Sequence, residues 1–98
     1  MAKRTSRPRD IEQTKRFIKS WDRHSRAGRS DMVALKKVIL MLAANDGPLP
    51  PEYKDHQLEG DLRQYRECHI GGDFLLMYEI DGDVLYLVNC GTHAELFE

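Results

Sequence analysis

The sequence predicts an α+β fold, with an N-terminal helical hairpin packed on a small antiparallel β-sheet of three to four strands. Two observations predict it. Up to about position 45, apolar residues recur at spacings of three and four; from position 62 they gather in short runs parted by Gly-Gly and Asp-Gly. Helices first and strands after is the order of an α+β domain, in which the helices cover one face of the sheet. The 98 residues make one small domain, able to bury roughly 60–65% of its unfolded surface.

Residues 1–8 are polar and read as loose, and Arg9-Asp10-Ile11-Glu12-Gln13 is a candidate short strand. Thr14 is placed to N-cap a helix reaching about Arg26, with Phe17, Ile18 and Trp21 as its apolar stripe. Arg26-Ala27-Gly28-Arg29 breaks it. Ser30 is the next N-cap, with Asp31 at the positive end of the helix dipole. Met32, Leu35, Val38, Ile39 and Leu42 then carry a helix that stops at Asn45-Asp46-Gly47-Pro48. Leu49-Pro50-Pro51-Glu52 reads as a loop that excludes helix. Leu62 to Ile70, Phe74 to Ile80 and Val84 to Cys90 are strand-like, and Asp81-Gly82-Asp83 between the last two is a hairpin signal. The three form an antiparallel meander, to which residues 9–13 add a possible fourth strand.

Charge is distributed unevenly. The net charge is −1, yet residues 1–37 hold twelve Lys and Arg against four acids, and residues 38–98 hold three against twelve. A basic N-terminal half suits a polyanionic partner such as nucleic acid. No apolar run reaches the ~20 residues of a membrane span, and Met1 to Arg9 lacks the apolar stretch of a secretory signal. Two cysteines, Cys68 and Cys90, are too few for a disulfide framework, so the chain reads as cytoplasmic.

The candidate chemistry lies in three histidines bordering the strand-like runs, His56, His69 and His93, with Asp73 beside them. Imidazole both gives and takes a proton near neutral pH. No metal-binding spacing and no phosphate-binding glycine loop is present, so neither metal nor cofactor is expected. Metal-free RNA cleavage needs a base for the 2′-hydroxyl, an acid for the leaving 5′-oxygen and charge stabilisation at phosphorus. The histidines and aspartate can supply these, and Phe74 and Phe97 could stack a splayed base. Taken singly, each histidine is more often a surface or capping residue. Phe74 reads as core, Asp73 as a turn residue, and His24 within Asp22-Arg23-His24-Ser25-Arg26 as surface.

Together, Leu49 to Gly60 with its Tyr53-Lys54-Asp55-His56, then Tyr65-Arg66-Glu67-Cys68-His69-Ile70, Asp73-Phe74-Leu75-Leu76-Met77-Tyr78 and Gly91-Thr92-His93-Ala94-Glu95-Leu96-Phe97, resemble the YafQ-type toxins of the RelE/ParE superfamily. Thr14 to Lys19 is similar to that family's first helix. The resemblance spans roughly residues 9–97 and implies a RelE-like toxin of a type II toxin–antitoxin module that enters the ribosomal A site and cuts mRNA there without metal. It implies a cognate antitoxin that folds over the site, with oligomerisation through that antitoxin. It also implies His56, His69, Asp73 and His93 as the catalytic set: His93 as proton donor, His56 or His69 as base, Asp73 orienting one of them, and Phe97 holding RNA. A ParE-like or degenerate relative acting by protein binding is the alternative, and a ribosome-independent ribonuclease a third reading. Two departures stand out. Gly71-Gly72 and Phe74 replace the family's Glu-Pro and Trp, and Asn89 stands where an arginine is common; Lys54, Arg63 and Arg66 are the nearest cations to compensate.

Overall fold

The computed structural model describes residues 7–97. Most of the segment expected to be loose, residues 1–6, lies outside the described residues; the Arg7 carbonyl accepts the Asn45 side-chain N–H at 2.9 Å.

The chain enters through strand β1 (Asp10–Gln13) and turns directly into helix α1 (Lys15–Ala27). Thr14 makes this turn: its Oγ1 accepts the Phe17 N–H at 3.0 Å and donates to the Val88 carbonyl at 2.6 Å. One hydroxyl thus caps the helix and fastens it to the sheet. Gly28 ends α1 in the left-handed region at φ 69°. Helix α2 (Met32–Ala44) is capped by Asp31 and not by Ser30, with the Asp31 carboxylate accepting the Ala34 N–H at 2.9 Å. Ser30 is unavailable because its hydroxyl meets the His24 ring at 3.0 Å. Asn45, left-handed, closes α2 within the expected stop. The loop expected at Leu49–Glu52 contains one 3-10 turn, Pro51–Tyr53, which proline can open because its missing N–H is not needed there.

The described residues form a five-stranded sheet of β1, β2 (His56–Gln57), β3 (Arg66–Gly71), β4 (Phe74–Asp81) and β5 (Val84–Gly91), in the order β1-β5-β4-β3-β2. The meander β3-β4-β5 is antiparallel, as expected. The sheet as a whole is mixed, because β1 lies parallel to β5 with Asp10 opposite Val84. Periodicity discloses neither the direction of an edge strand nor a strand as short as β2. The run beginning at Leu62 becomes strand only at Arg66, since Gly60–Leu62 form a second 3-10 turn. A short helix, α3 (His93–Phe97), follows β5 where the sequence reads as loop.

Side-chain alternation then sorts the sheet's two faces. Phe17, Leu35, Val38 and Leu42 of the helices pack on Cys68, Leu76, Tyr78, Leu85 and Leu87 in the main core. Leu75, Met77 and Leu96 form a smaller cluster on the other face, with Leu58, Tyr65 and Val88 against it. Glu67 and His69 pair across the strands with Met77 and Leu75, so they project on this second face, away from the helical hairpin.

Candidate active site

Glu67 lies at the centre of that face. Its side chain is 3% exposed, and its two oxygens lie 3.7 Å from His93 Nε2, 3.8 Å from His69 Nε2 and 3.9 Å from His56 Nε2. Among the described residues Oε1 has no hydrogen-bond partner. The imidazoles stand in a row, with ring centroids 6.4 Å apart between His56 and His69 and 6.3 Å between His69 and His93. Three separate elements supply them: β2, the interior of β3 and the start of α3. His69 is therefore in the strand that the run Leu62 to Ile70 predicts, and His93 is on a helix where the sequence reads as a loop.

Each ring is held differently. His56 Nδ1 meets the Lys54 carbonyl at 2.7 Å, which fixes a proton on Nδ1 and leaves Nε2 with its lone pair in the neutral ring. Asp73, in the β3–β4 turn, accepts from the His93 backbone N–H at 3.3 Å and faces His93 Nδ1 at 3.4 Å. Thr92 and Glu95 exchange hydrogen bonds across the first turn of α3, Thr92 N–H to Glu95 Oε1 at 2.8 Å and Glu95 N–H to Thr92 Oγ1 at 3.2 Å. This capping box sets His93 as the helix's first residue. The Phe97 ring, 37% exposed, lies 5.6 Å from that of His93.

The structure thus brings His56, His69, Asp73, His93 and Phe97 together. Phe74 is buried, with its ring 5.0 Å from that of His24, so it belongs to the core. Arg66 Nη2 pairs with Asp55 at 3.0 Å, and Tyr78 donates its hydroxyl proton to the same carboxylate. The Asp55 hydrogen bond holds the Arg66 pKa above its ordinary value, and burial raises that of Tyr78. Lys54 and Arg63 are exposed. Asn89 turns inward, accepting from Ser20 Oγ at 2.7 Å and from the Cys90 N–H at 2.9 Å. Burial pushes the Cys68 and Cys90 thiols up to about 12, which leaves neither as a nucleophile.

His24 corrects its surface assignment: its side chain is 12% exposed and its ring lies between Ser30 and Glu95. Glu67 and Glu95 were also missed as functional candidates. Their signals were present, as a carboxylate two residues from His69 on a strand and as the Thr-x-x-Glu spacing of a capping box. For His24 the sequence carries no such signal.

The sequence profile of the family described as bacterial toxin of type II toxin–antitoxin system, YafQ, matches residues 9–98. The chain belongs to the YafQ toxin family. Among YafQ relatives, the mRNA interferase toxin YafQ of Escherichia coli strain K12 is 37% identical over 89 residues, covering 91% of this chain and 96% of that protein. The toxin in the crystal structure of the E. coli DinJ–YafQ complex superposes with a TM-score of 0.84 at 37% identity, covering 92% of this chain and 99% of that one. A metal-bound toxin from Helicobacter pylori superposes at 0.80 with 43% identity, over 90% and 98% of the two chains. The family match and the superpositions each cover about nine-tenths of the chain.

Proposed function

We propose that this toxin is an mRNA endonuclease that acts in the ribosomal A site by metal-independent acid–base catalysis. The observation that carries the reading is the row of three imidazoles around the buried Glu67, with His93 against Asp73. His56, whose Nε2 lone pair is free in the neutral ring, takes the proton of the 2′-hydroxyl, with His69 beside it as the other possible base. The 2′-oxygen attacks phosphorus and the bond to the 5′-oxygen breaks. His93, with a carboxylate beside each ring nitrogen, returns a proton to that oxygen. The products are a 2′,3′-cyclic phosphate and a 5′-hydroxyl. Phe97 offers an exposed face for a base, and Lys54, Arg63 and Arg66 are the cations assigned to the RNA.

The E. coli relative named an mRNA interferase supports the reaction class, and the DinJ–YafQ complex supports a cognate antitoxin as partner. We place the action in the cytoplasm, where ribosome and mRNA meet. Among the described residues no helix is long and apolar enough to cross a membrane, and no group of three or more His, Cys, Asp or Glu is arranged to hold a metal ion.

The test incubates purified protein, dialysed beforehand against a chelator, with programmed ribosomes and maps the mRNA 5′ ends. Wild type should cut in the A site and His93→Gln should not, with both folded by circular dichroism. Full cleavage by His93→Gln would sink the donor assignment. Cleavage of naked RNA would favour a ribosome-independent nuclease, and activity returning only with added zinc or copper would overturn the metal-free mechanism. Growth arrest without any cleavage would favour action by protein binding.

A further inference from the structure

We infer that Glu95 is a positioning residue for His93, acting through a clasp that ties α3 to α1. The inference rests on the reading of His93 as the proton donor. Glu95 Oε1 accepts the Thr92 N–H at 2.8 Å and lies 3.1 Å from His24 Nε2, while Oε2 accepts from Arg23 Nη2 at 3.1 Å. The first contact belongs to α3 itself. The other two reach across more than seventy sequence positions to α1.

His24 is a firm anchor. Ser30 Oγ sits 3.0 Å from its Nδ1, and its ring packs on the buried Phe74. Contacts therefore run from the core through His24 to Glu95, two residues from His93. The end of β5 is shaped to admit this carboxylate: a Cβ on Gly91 would lie 2.6 Å from Glu95 Oε1, and Gly91 has φ 153°.

The clasp adds to the buried anchor of α3, Leu96 in the smaller core cluster, which lies at the end of the helix away from His93. A helix of five residues has no stability of its own. Asp73 is 63% exposed and its contacts with His93, at 3.3 and 3.4 Å, are long. Misplacing a catalytic group by about an ångström can cost on the order of a hundredfold in rate. Helix α1 supplies a second fixed reference, through Arg23 and His24, nearer the His93 end of α3.

The test measures ribosome-dependent cleavage by the full chain together with the imidazole NMR resonances of His93. Glu95→Ala should lower kcat about tenfold with KM unchanged. His24→Phe keeps a ring on Phe74 but cannot meet Glu95, and should lower kcat about threefold. Glu95→Gln retains an acceptor for Thr92 and a polar partner for His24, and should stay within about twofold of wild type. The His93 resonances should move in the first two variants and hold in the third. Full kcat in Glu95→Ala beside an inactive His93→Gln overturns the clasp. If His93→Gln itself cleaves normally, the donor assignment has failed, and the His93 resonances alone judge the clasp: moved, they support it; unmoved, they overturn it.

Discussion

A carboxylate buried without a full set of hydrogen bonds is costly, and Glu67 bears that cost at the centre of three imidazoles. Its distances to their nitrogens, 3.7 to 3.9 Å, are just too long for hydrogen bonds and short enough to become them on a slight closing of the site. Glu67→Gln keeps the volume and removes the charge. Cleavage should fall at least tenfold, while urea denaturation shows stability unchanged or raised by about 1 kcal/mol. A variant that loses stability and keeps its rate would make Glu67 a purely structural residue. Its neighbours show what the sequence discloses at this scale. The residue types and their order named His56, His69, Asp73 and His93; Glu67 stood two residues from His69 on the same strand face, but its burial is a property of packing that the sequence does not carry. Asn89 teaches the converse. Its substitution for a common arginine is visible in the sequence, yet only packing reveals that it turns toward Ser20.

At the scale of elements, the site depends on how three short pieces are fastened. The segment carrying His56 is held through Asp55, which binds both Arg66 of β3 and the hydroxyl of Tyr78 in β4. Tyr78→Phe should destabilise the fold by about 1 kcal/mol and lower cleavage severalfold through a less ordered His56. Unchanged melting and rate would show the network to be idle. The segment carrying His93 depends on Glu95, whose pKa lies below the ordinary carboxylate value because the Thr92 N–H, His24 and Arg23 all favour the charged form. A carboxyl depressed in the folded state adds stability above its unfolded pKa of about 4.3, and that contribution is lost as pH falls through the folded value. Acid should therefore remove the charge-assisted part of these contacts, with the Thr92 amide NMR signal titrating below about pH 4.3. A midpoint at or above that value would contradict the arrangement. The long helices and the meander were legible because their periodicities extend over many residues. Strand β2 and helix α3 were not, since two and five residues are too few to show a period.

For the whole molecule, the basic hairpin and the histidine cluster lie on opposite faces of one sheet. The charge asymmetry was plain in the sequence, but it gave no sign that, Arg23 apart, the hairpin's lysines and arginines would sit on the face away from the candidate site. On the proposed reading, an antitoxin segment that engages both the hairpin and the histidine row has to wrap around the sheet. Arg16, Lys19 and Lys37 are exposed, and replacing all three with glutamate should weaken ribosome binding roughly tenfold at low salt and flatten its salt dependence. Binding by the triple variant with wild-type affinity and salt slope would remove the hairpin from the RNA interface.

The parallel pairing of β1 with β5 has a kinetic consequence. The Thr14 hydroxyl reaches Val88 across 74 positions, so strands near the two ends of the described chain become neighbours only when nearly everything between them has been gathered. Such high contact order slows folding, because loop entropy is lost before the distant contacts form. Strand β1 lies along the edge of β5, so that edge is covered only once β1 is in place, and an unpaired strand edge is open to pairing with another chain.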